Sequence, residues 1–201
     1  VCRAKCEQIG TMVKKRKKNQ GGRIIPPSRT PLHLIVRAGP GDPRKGLLSV
    51  DGRAYPCALG RSGVVSIKRE GDGGTPRGSF GLLWGYVRKD RAFRSVSGLP
   101  LYGISSHDGW CDAVGDRNYN RPVRLPYGAS HETLMRDDGL YDVLVVMDHN
   151  MSRRLTRGGS AIFFHIARPD LAPTEGCVAV APHVMRLLLP KLSRRVRLTV
   201  L

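Results

Sequence analysis

Short apolar segments, separated by clusters of Gly, Pro and Asp, recur along most of the chain. Turn-rich stretches such as RAGPGDPRKG and VDGR lie between them. Short runs of this kind, with turn residues on both sides, predict β-strands rather than helices. We predict strands at 33–37, 46–50, 53–59, 64–68, 79–87, 141–148, 160–166, 176–180 and 196–201.

One segment near the C-terminus has the spacing of a helix. Pro182 suits a first helical turn, Val184, Leu187 and Leu188 form an apolar stripe, and Pro190 would interrupt or end the helix.

Residues from about 88 to 140, by contrast, are polar and show no regular period, which predicts a long irregular middle insertion. Many short strands with few helices indicate a mostly β protein, either a sandwich or a barrel.

The charge of the chain is unevenly distributed. The formal net charge is +18, and residues 1–30 alone hold nine Lys or Arg against one Glu, including the run KKRKK at 14–18. We therefore predict a basic, disordered arm over 1–30 and one domain over 31–201. Only 6% of residues are aromatic, and few stacking side chains argue against specific nucleic-acid binding.

The sequence lacks two kinds of feature, long apolar runs and closely spaced cysteine pairs, and this narrows the classes of function that it can have. The apolar runs are far shorter than the roughly 18 residues of a membrane span, and no apolar signal core follows the first basic residues. We therefore expect no transmembrane segment and see no export signal. The chain has five cysteines but no CxxC pair, so we expect no metal and no cofactor, and ask instead whether one thiol is reactive.

The segment from His165 to Val178 carries the candidate chemistry. His165 ends a predicted strand, and the loop that follows leads to Thr174-Glu175-Gly176-Cys177. A cysteine attacks as the thiolate, so an enzyme needs a neighbouring base such as histidine. A strand–loop–strand unit can bring Cys177 next to His165, and Gly176 would let backbone N–H groups approach an oxyanion.

A second motif lies upstream, at Thr75-Pro76-Arg77-Gly78-Ser79-Phe80. It resembles the T-P-x-G-x-F element of the YkuD-type L,D-transpeptidase catalytic domain. The downstream block resembles the H…[ST]-x-G-C-[IV] signature of the same family, in the same order along the chain. The resemblance covers roughly residues 32–201 and implies a β-sandwich of mixed sheets with the active site at one end.

The resemblance also implies roles for individual residues. Cys177 would be the nucleophile and His165 the base, oriented by a backbone carbonyl rather than by a carboxylate. Backbone N–H groups around Gly176 and Cys177 would form the oxyanion hole, and Thr174 and Glu175 belong to the loop that holds the nucleophile.

The chain departs from the family pattern next to both catalytic positions. Ile166 stands where the family usually has Gly after the histidine, and Ala179 stands where it often has Arg or Asn. Other side chains must then hold the carboxylates of the peptide, and Arg grips a carboxylate with two parallel hydrogen bonds. The candidates for binding substrate are Arg136, Arg168, Arg121, Tyr119, Asn120, His149 and Trp110.

The function implied is a peptidoglycan L,D-transpeptidase in the periplasm or cell wall, with stem peptides as donor and acceptor. The donor bond could follow residue 3 or residue 1 of the stem. If water replaced the acceptor amine, the same site would be an L,D-carboxypeptidase. The residues alone also allow a basic binding module, for cell-wall polymer or nucleic acid, in which Cys177 is structural.

Overall fold

The computed structural model describes residues 32–91 and 96–201. The predicted basic arm, 1–30, lies outside the described residues. The strands are β1 (His33–Ala38), β2 (Lys45–Val50), β3 (Arg53–Ala58), β4 (Val64–Val65), β5 (Thr75–Pro76), β6 (Gly78–Val87), β7 (Leu101–Gly103), β8 (Asp108–Cys111), β9 (Arg121–Arg124), β10 (His131–Thr133), β11 (Val143–Met147), β12 (Phe163–Ile166), β13 (Val178–Val180) and β14 (Arg197–Val200).

Nine of these strands form one mixed sheet that closes on itself. The strand order is β11-β12-β13-β3-β2-β1-β14-β6-β7, and β11 also pairs with β6, which joins the two sides of the sheet into a barrel-like layer. The pairs β1–β14, β12–β13 and β6–β7 are parallel. The prediction of a mostly β fold is confirmed, with a closed sheet in place of two separate layers.

The interior of the closed sheet is filled by the alternate side chains of its strands. In β1, Leu34 and Val36 are buried, and in β2 Leu48 and Val50 are buried. Side chains of a strand alternate between its two faces, so the apolar half of each strand points inward. Burying one large aliphatic side chain contributes roughly 1.5–3 kcal/mol, which makes this core the main source of stability.

A short helix covers part of this core. The helix α1 (Pro182–Leu188) buries Val184, Met185 and Leu188, and a 3₁₀ turn, Leu189–Lys191, follows it. The predicted end near Pro190 agrees with this break, because proline has no N–H to donate to the preceding turn. Within the described residues, no helix is long and apolar enough to span a membrane.

The middle insertion is more ordered than its sequence pattern suggested. It contains a three-stranded antiparallel sheet with the order β10-β8-β9. Its strands have three or four residues each, too few to show an alternating pattern. The insertion packs on the outer face of β11, which explains why all five residues of β11 are buried.

The burial pattern of β2 leads to a test of the fold with a matched control. Leu48 is fully buried, whereas its neighbour Leu47 is 45% exposed. Leu48→Ala should lower the free energy of unfolding by about 2–5 kcal/mol because it leaves a cavity. Leu47→Ala should cost less than about 1 kcal/mol. Urea denaturation measures both, and equal losses would show that the strand presents a different face to the core.

Candidate active site

Two neighbouring parallel strands bring the predicted nucleophile and base to the same face of the sheet. The register pairs Phe164 with Val178 and His165 with Ala179. Cys177, one residue before Val178, is therefore level with Phe163. Residues two apart in a strand share a face, so Cys177, Phe163 and His165 point to the same side, towards the insertion.

Cys177 and His165 line one cavity between the barrel and the insertion. Its volume is about 830 Å³. The strands β12 and β13 form its floor, the loop at 70–71 forms one side, and residues 131–141 of the insertion form another. The nucleophile loop completes the lining with Pro173, Thr174 and Glu175.

The Cys177 thiol is largely buried and protonated at rest. The residue is 7% exposed, and its Sγ accepts a hydrogen bond from Phe163 N–H (3.3 Å) and donates one to the Ala161 carbonyl (3.3 Å). Burial raises the pKa of the Cys177 thiol to about 12, and the charge of Glu132 adds to this increase. Desolvation disfavours the thiolate, so the resting group is the neutral thiol.

His165 is held as a neutral imidazole. Its Nδ1 lies 2.8 Å from the carbonyl oxygen of Ile166. A carbonyl only accepts hydrogen bonds, so Nδ1 carries the proton and Nε2 is left as an acceptor. Burial lowers the pKa of His165 to about 4, and the ring of Tyr141 packs edge-on against it with 5.2 Å between centroids. The contacts with the Ile166 carbonyl and with Tyr141 therefore fix the orientation of the ring.

The two sequence motifs meet at the carbonyl oxygen of Cys177. Thr174 Oγ1 donates to it at 2.7 Å, and Thr75 Oγ1 donates to it at 3.4 Å. Each threonine oxygen also accepts a backbone N–H, Thr174 from Gly176 (3.1 Å) and Thr75 from Gly60 (2.8 Å). We name this pair of threonines the carbonyl clamp. It explains physically why both motifs contain a hydroxyl residue.

Gly176 has a backbone conformation and a contact that only glycine accommodates. Its φ is +132°, and a Cβ atom there would lie 2.8 Å from the carbonyl oxygen of Gly74. The loop that contains Gly74 is fixed by Asp72, which accepts hydrogen bonds from the N–H groups of Gly74 (2.8 Å) and Arg69 (2.7 Å). The turn before the nucleophile therefore packs directly on the segment that leads into β5.

Glu175 lies at the mouth of the cavity. Arg61 Nε donates to its carboxylate at 2.8 Å, and the N–H of Arg61 donates to the Thr174 carbonyl at 2.8 Å. The Glu175 side chain is mostly exposed, and an exposed ion pair contributes at most about 1 kcal/mol. Glu175 thus belongs to the outer edge of the nucleophile loop, where it anchors that loop to Arg61.

Two of the predicted substrate-binding arginines line the cavity. Arg136 pairs with Asp138 (2.6 Å) and lies over the ring of Tyr141, with 5.2 Å from its guanidinium carbon to the ring centroid. Arg168 follows β12 and is exposed, and its charge, like that of Arg136, acts on Asp138.

The other predicted substrate-binding residues do not line this cavity; their side chains make internal hydrogen bonds. Asn120 accepts from Trp110 Nε1 (3.0 Å) and donates to the His149 carbonyl (3.1 Å). Arg121 donates to the Met151 carbonyl, and Tyr119 donates to Glu70. His149 Nε2 is 2.9 Å from the Gly158 carbonyl. These contacts tie the insertion to the barrel, and contact with substrate stays a prediction for this group.

Sequence reasoning did not identify the residues that surround the thiol from the insertion side. Tyr141 contacts His165 and Phe163, and Glu132 accepts a hydrogen bond from Tyr141 (2.5 Å). Tyr141 was predicted only as the start of a strand. Their proximity depends on how the insertion folds back over β12, for which the sequence contained no periodic signal.

Comparisons with known proteins show the family of the chain. The family model of the L,D-transpeptidase catalytic domain (YkuD) matches residues 46–199, which is more than half of the chain. The chain belongs to this family, which is a cell-wall enzyme domain. No curated protein sequence matches the chain.

Among solved structures, the chain is similar to an L,D-transpeptidase from Mycobacterium smegmatis. The TM-score is 0.37 at 15% sequence identity, and the match covers 85% of this chain. The chain spans 58% of the length of that enzyme.

The carbonyl clamp can be tested without measuring catalysis. Thr75 is fully buried, so Thr75→Val would leave the Gly60 N–H without its acceptor, which costs about 1–3 kcal/mol of unfolding free energy. Thr75→Ser keeps the hydroxyl and should retain most of the stability. Urea denaturation compares the two variants. A valine variant as stable as the wild type would show that the clamp does not hold the loop.

Proposed function

We propose that the protein is a peptidoglycan L,D-transpeptidase in which Cys177 is the nucleophile and His165 is the general base. The observation that carries this proposal is the placement of both side chains on one face of neighbouring strands, opening into one cavity. Membership of the L,D-transpeptidase catalytic domain family supports it. The periplasm or cell wall, where such peptides occur, is the proposed location.

In the first half-reaction, the sulfur of Cys177 attacks the carbonyl carbon of a donor peptide bond between an L and a D residue. His165 Nε2 accepts the thiol proton and then gives it to the departing amine, so that a thioester remains on the enzyme. Both groups are neutral at rest because burial raises the pKa of Cys177 and lowers that of His165. Proton transfer and attack should therefore occur together when the donor carbonyl is in place.

The oxyanion of the tetrahedral intermediate needs N–H donors close to the nucleophile. The N–H of Gly176 already donates to Thr174, so we assign the main donor role to the N–H of Cys177. The carbonyl clamp fixes the peptide unit that follows Cys177, and Gly176 fixes the one before it. Such preorganised donors stabilise developing charge without having to reorient.

The donor carboxylates are proposed to bind Arg136 and Arg168. Ala179 also lines the cavity, and its methyl group cannot hold a carboxylate as the Arg or Asn of other family members could. Guanidinium groups from the insertion and from the loop after β12 would replace it. Cleavage after residue 3 and cleavage after residue 1 of the stem are both compatible with this arrangement.

In the second half-reaction, an amine of a second stem peptide attacks the thioester, which releases the thiol and forms the crosslink. If water attacks instead, the product is that of an L,D-carboxypeptidase. A binding module with a structural thiol is the alternative favoured by the burial of Cys177 and its raised pKa. Incubation with stem peptides distinguishes the three outcomes by mass: a crosslinked dimer, a shortened monomer or no change.

Replacement of the nucleophile gives the most direct test. Cys177→Ala should abolish both the thioester adduct and the crosslinked product, as measured by intact-protein and peptide mass spectrometry, while the thermal unfolding transition is retained. Cys57→Ala and Cys111→Ala are matched controls, because both thiols are also buried but lie outside the cavity lining. Activity above a few per cent in Cys177→Ala would exclude this nucleophile.

The role of His165 predicts a specific dependence on pH. The imidazole accepts a proton only when neutral, and burial lowers its pKa to about 4. The acylation rate should therefore be constant from neutral pH down to about 5 and fall as the pH approaches 4. His165→Gln should lower acylation by at least about 10²-fold. An acid limb centred near the usual histidine value, about 6.5, would contradict this description of the base.

A further inference from the structure

Besides Glu175, which is paired with Arg61, three carboxylates line the cavity that contains Cys177, in a protein whose net charge is +18. They are Glu70, Asp112 and Glu132, and we call them the acidic wall. Glu70 and Asp112 also line a second cavity of about 810 Å³, so the acidic wall lies where the two cavities adjoin. Acidic side chains grouped at this point of a basic protein favour the approach of a cation.

Glu132 is the member of the acidic wall that is most closely connected to the catalytic pair. Its Oε1 accepts the hydroxyl of Tyr141 at 2.5 Å, and the ring of the same tyrosine packs on His165. Arg136 Nη1 is 3.8 Å from that oxygen. Within the described residues Oε2 makes no hydrogen bond, and the side chain is 27% exposed. One carboxylate oxygen is therefore available to a ligand.

Two further polar atoms in the same cavity lack partners among the described residues. Asp112 Oδ1 and Ser160 Oγ are buried without a hydrogen bond of acceptable geometry, and Ser160 as a whole is only 7% exposed. A buried polar atom without a partner costs about 1–3 kcal/mol.

The charge of Glu132 does not assist the first half-reaction. A carboxylate near Cys177 disfavours the thiolate, and the pKa of the thiol is raised by burial and then by Glu132. In the second half-reaction, by contrast, a nearby carboxylate is useful, because the attacking amine must lose a proton. Amines are protonated near neutral pH and cannot attack a thioester until they lose a proton. Burial raises the pKa of Glu132, which makes it a better proton acceptor than an exposed carboxylate.

We propose that Glu132 binds the ammonium group of the acceptor and takes its proton before the amine attacks the thioester. This inference rests on the proposed transpeptidase function. One proton passes from the ammonium nitrogen to Glu132. The nitrogen lone pair then forms the C–N bond, the C–S bond breaks, and the second proton passes through His165 to the sulfur of Cys177. An amide, a neutral thiol and a protonated Glu132 remain, and Glu132 returns its proton to water.

The groups around Glu132 define what its replacement changes. Those with an electrostatic or hydrogen-bond effect on it are Tyr141, Arg136, Asp112, Asp138 and Cys177. In Glu132→Gln the amide oxygen can still accept the Tyr141 hydroxyl, so the contact with His165 is retained. The variant removes the negative charge and the basic oxygen, and leaves the shape of the cavity nearly unchanged.

The experiment separates the two half-reactions. The thioester is formed with a stem-peptide donor and then mixed with either of two nucleophiles, a stem peptide with a free side-chain amine or hydroxylamine, which is uncharged near neutral pH. In Glu132→Gln, transfer to the peptide amine should fall by about 10²-fold, whereas acylation and reaction with hydroxylamine should be retained. Glu132→Asp should recover part of the transfer to the peptide amine.

Asp137→Asn is the matched control, since it removes the same charge from a fully exposed side chain outside the cavity lining. Wild-type rates of amine transfer in Glu132→Gln would overturn the inference and leave the transpeptidase function intact. Equal losses with the peptide amine and hydroxylamine, or a loss of acylation, would also overturn it. A wild-type protein that forms no thioester would refute the proposed function and this inference together.

Discussion

The structure of the site depends on how one carbonyl oxygen, that of Cys177, is held. The carbonyl clamp connects it to β5 on one side and to the nucleophile loop on the other. Without these two hydroxyl groups, a loop rich in Pro and Gly would have many accessible conformations. With them, the backbone at Cys177 is held beside β5. The segment from β4 to β5 thus places the hydroxyl of Thr75 against the carbonyl of Cys177, which lies 102 positions later in the chain.

The electrostatics of the site follow from the same packing. The insertion covers the outer face of β11 and β12, so the thiol and the imidazole lie in a region with little water. In such a region an isolated charge is unfavourable, and the resting pair stays neutral. In the proposed reaction, charge develops only when substrate is bound. An exposed thiolate, by contrast, would be open to oxidation and to adventitious electrophiles.

Sequence alone predicted the elements that have a strong local pattern. Most predicted strands of the barrel correspond to observed ones, and α1 ends near Pro190, because alternation and proline chemistry are local properties. The strand predicted at 64–68 is observed only at Val64–Val65. The residues that follow Val65 belong instead to the loop that Asp72 holds by hydrogen bonds. The acidic wall was not predicted, because Glu70, Asp112 and Glu132 come from three separate segments. Only the fold of the insertion brings them together.

The main sheet closes through the pairing of β11 with β6, the two strands between which the insertion lies. The barrel and the carbonyl clamp hold the segments that contain Cys177 and His165, and a substitution there disturbs many neighbouring residues. We call the residues between β6 and β11 the excursion. It begins at the end of β6 and ends at the start of β11, and these two strands are hydrogen-bonded to each other. Under the proposed function, variation in that excursion would alter which peptides enter the cavity, while the strands next to Cys177 and His165 stay in place. Exchange of the whole excursion between homologues is therefore a practical route to new acceptor preferences.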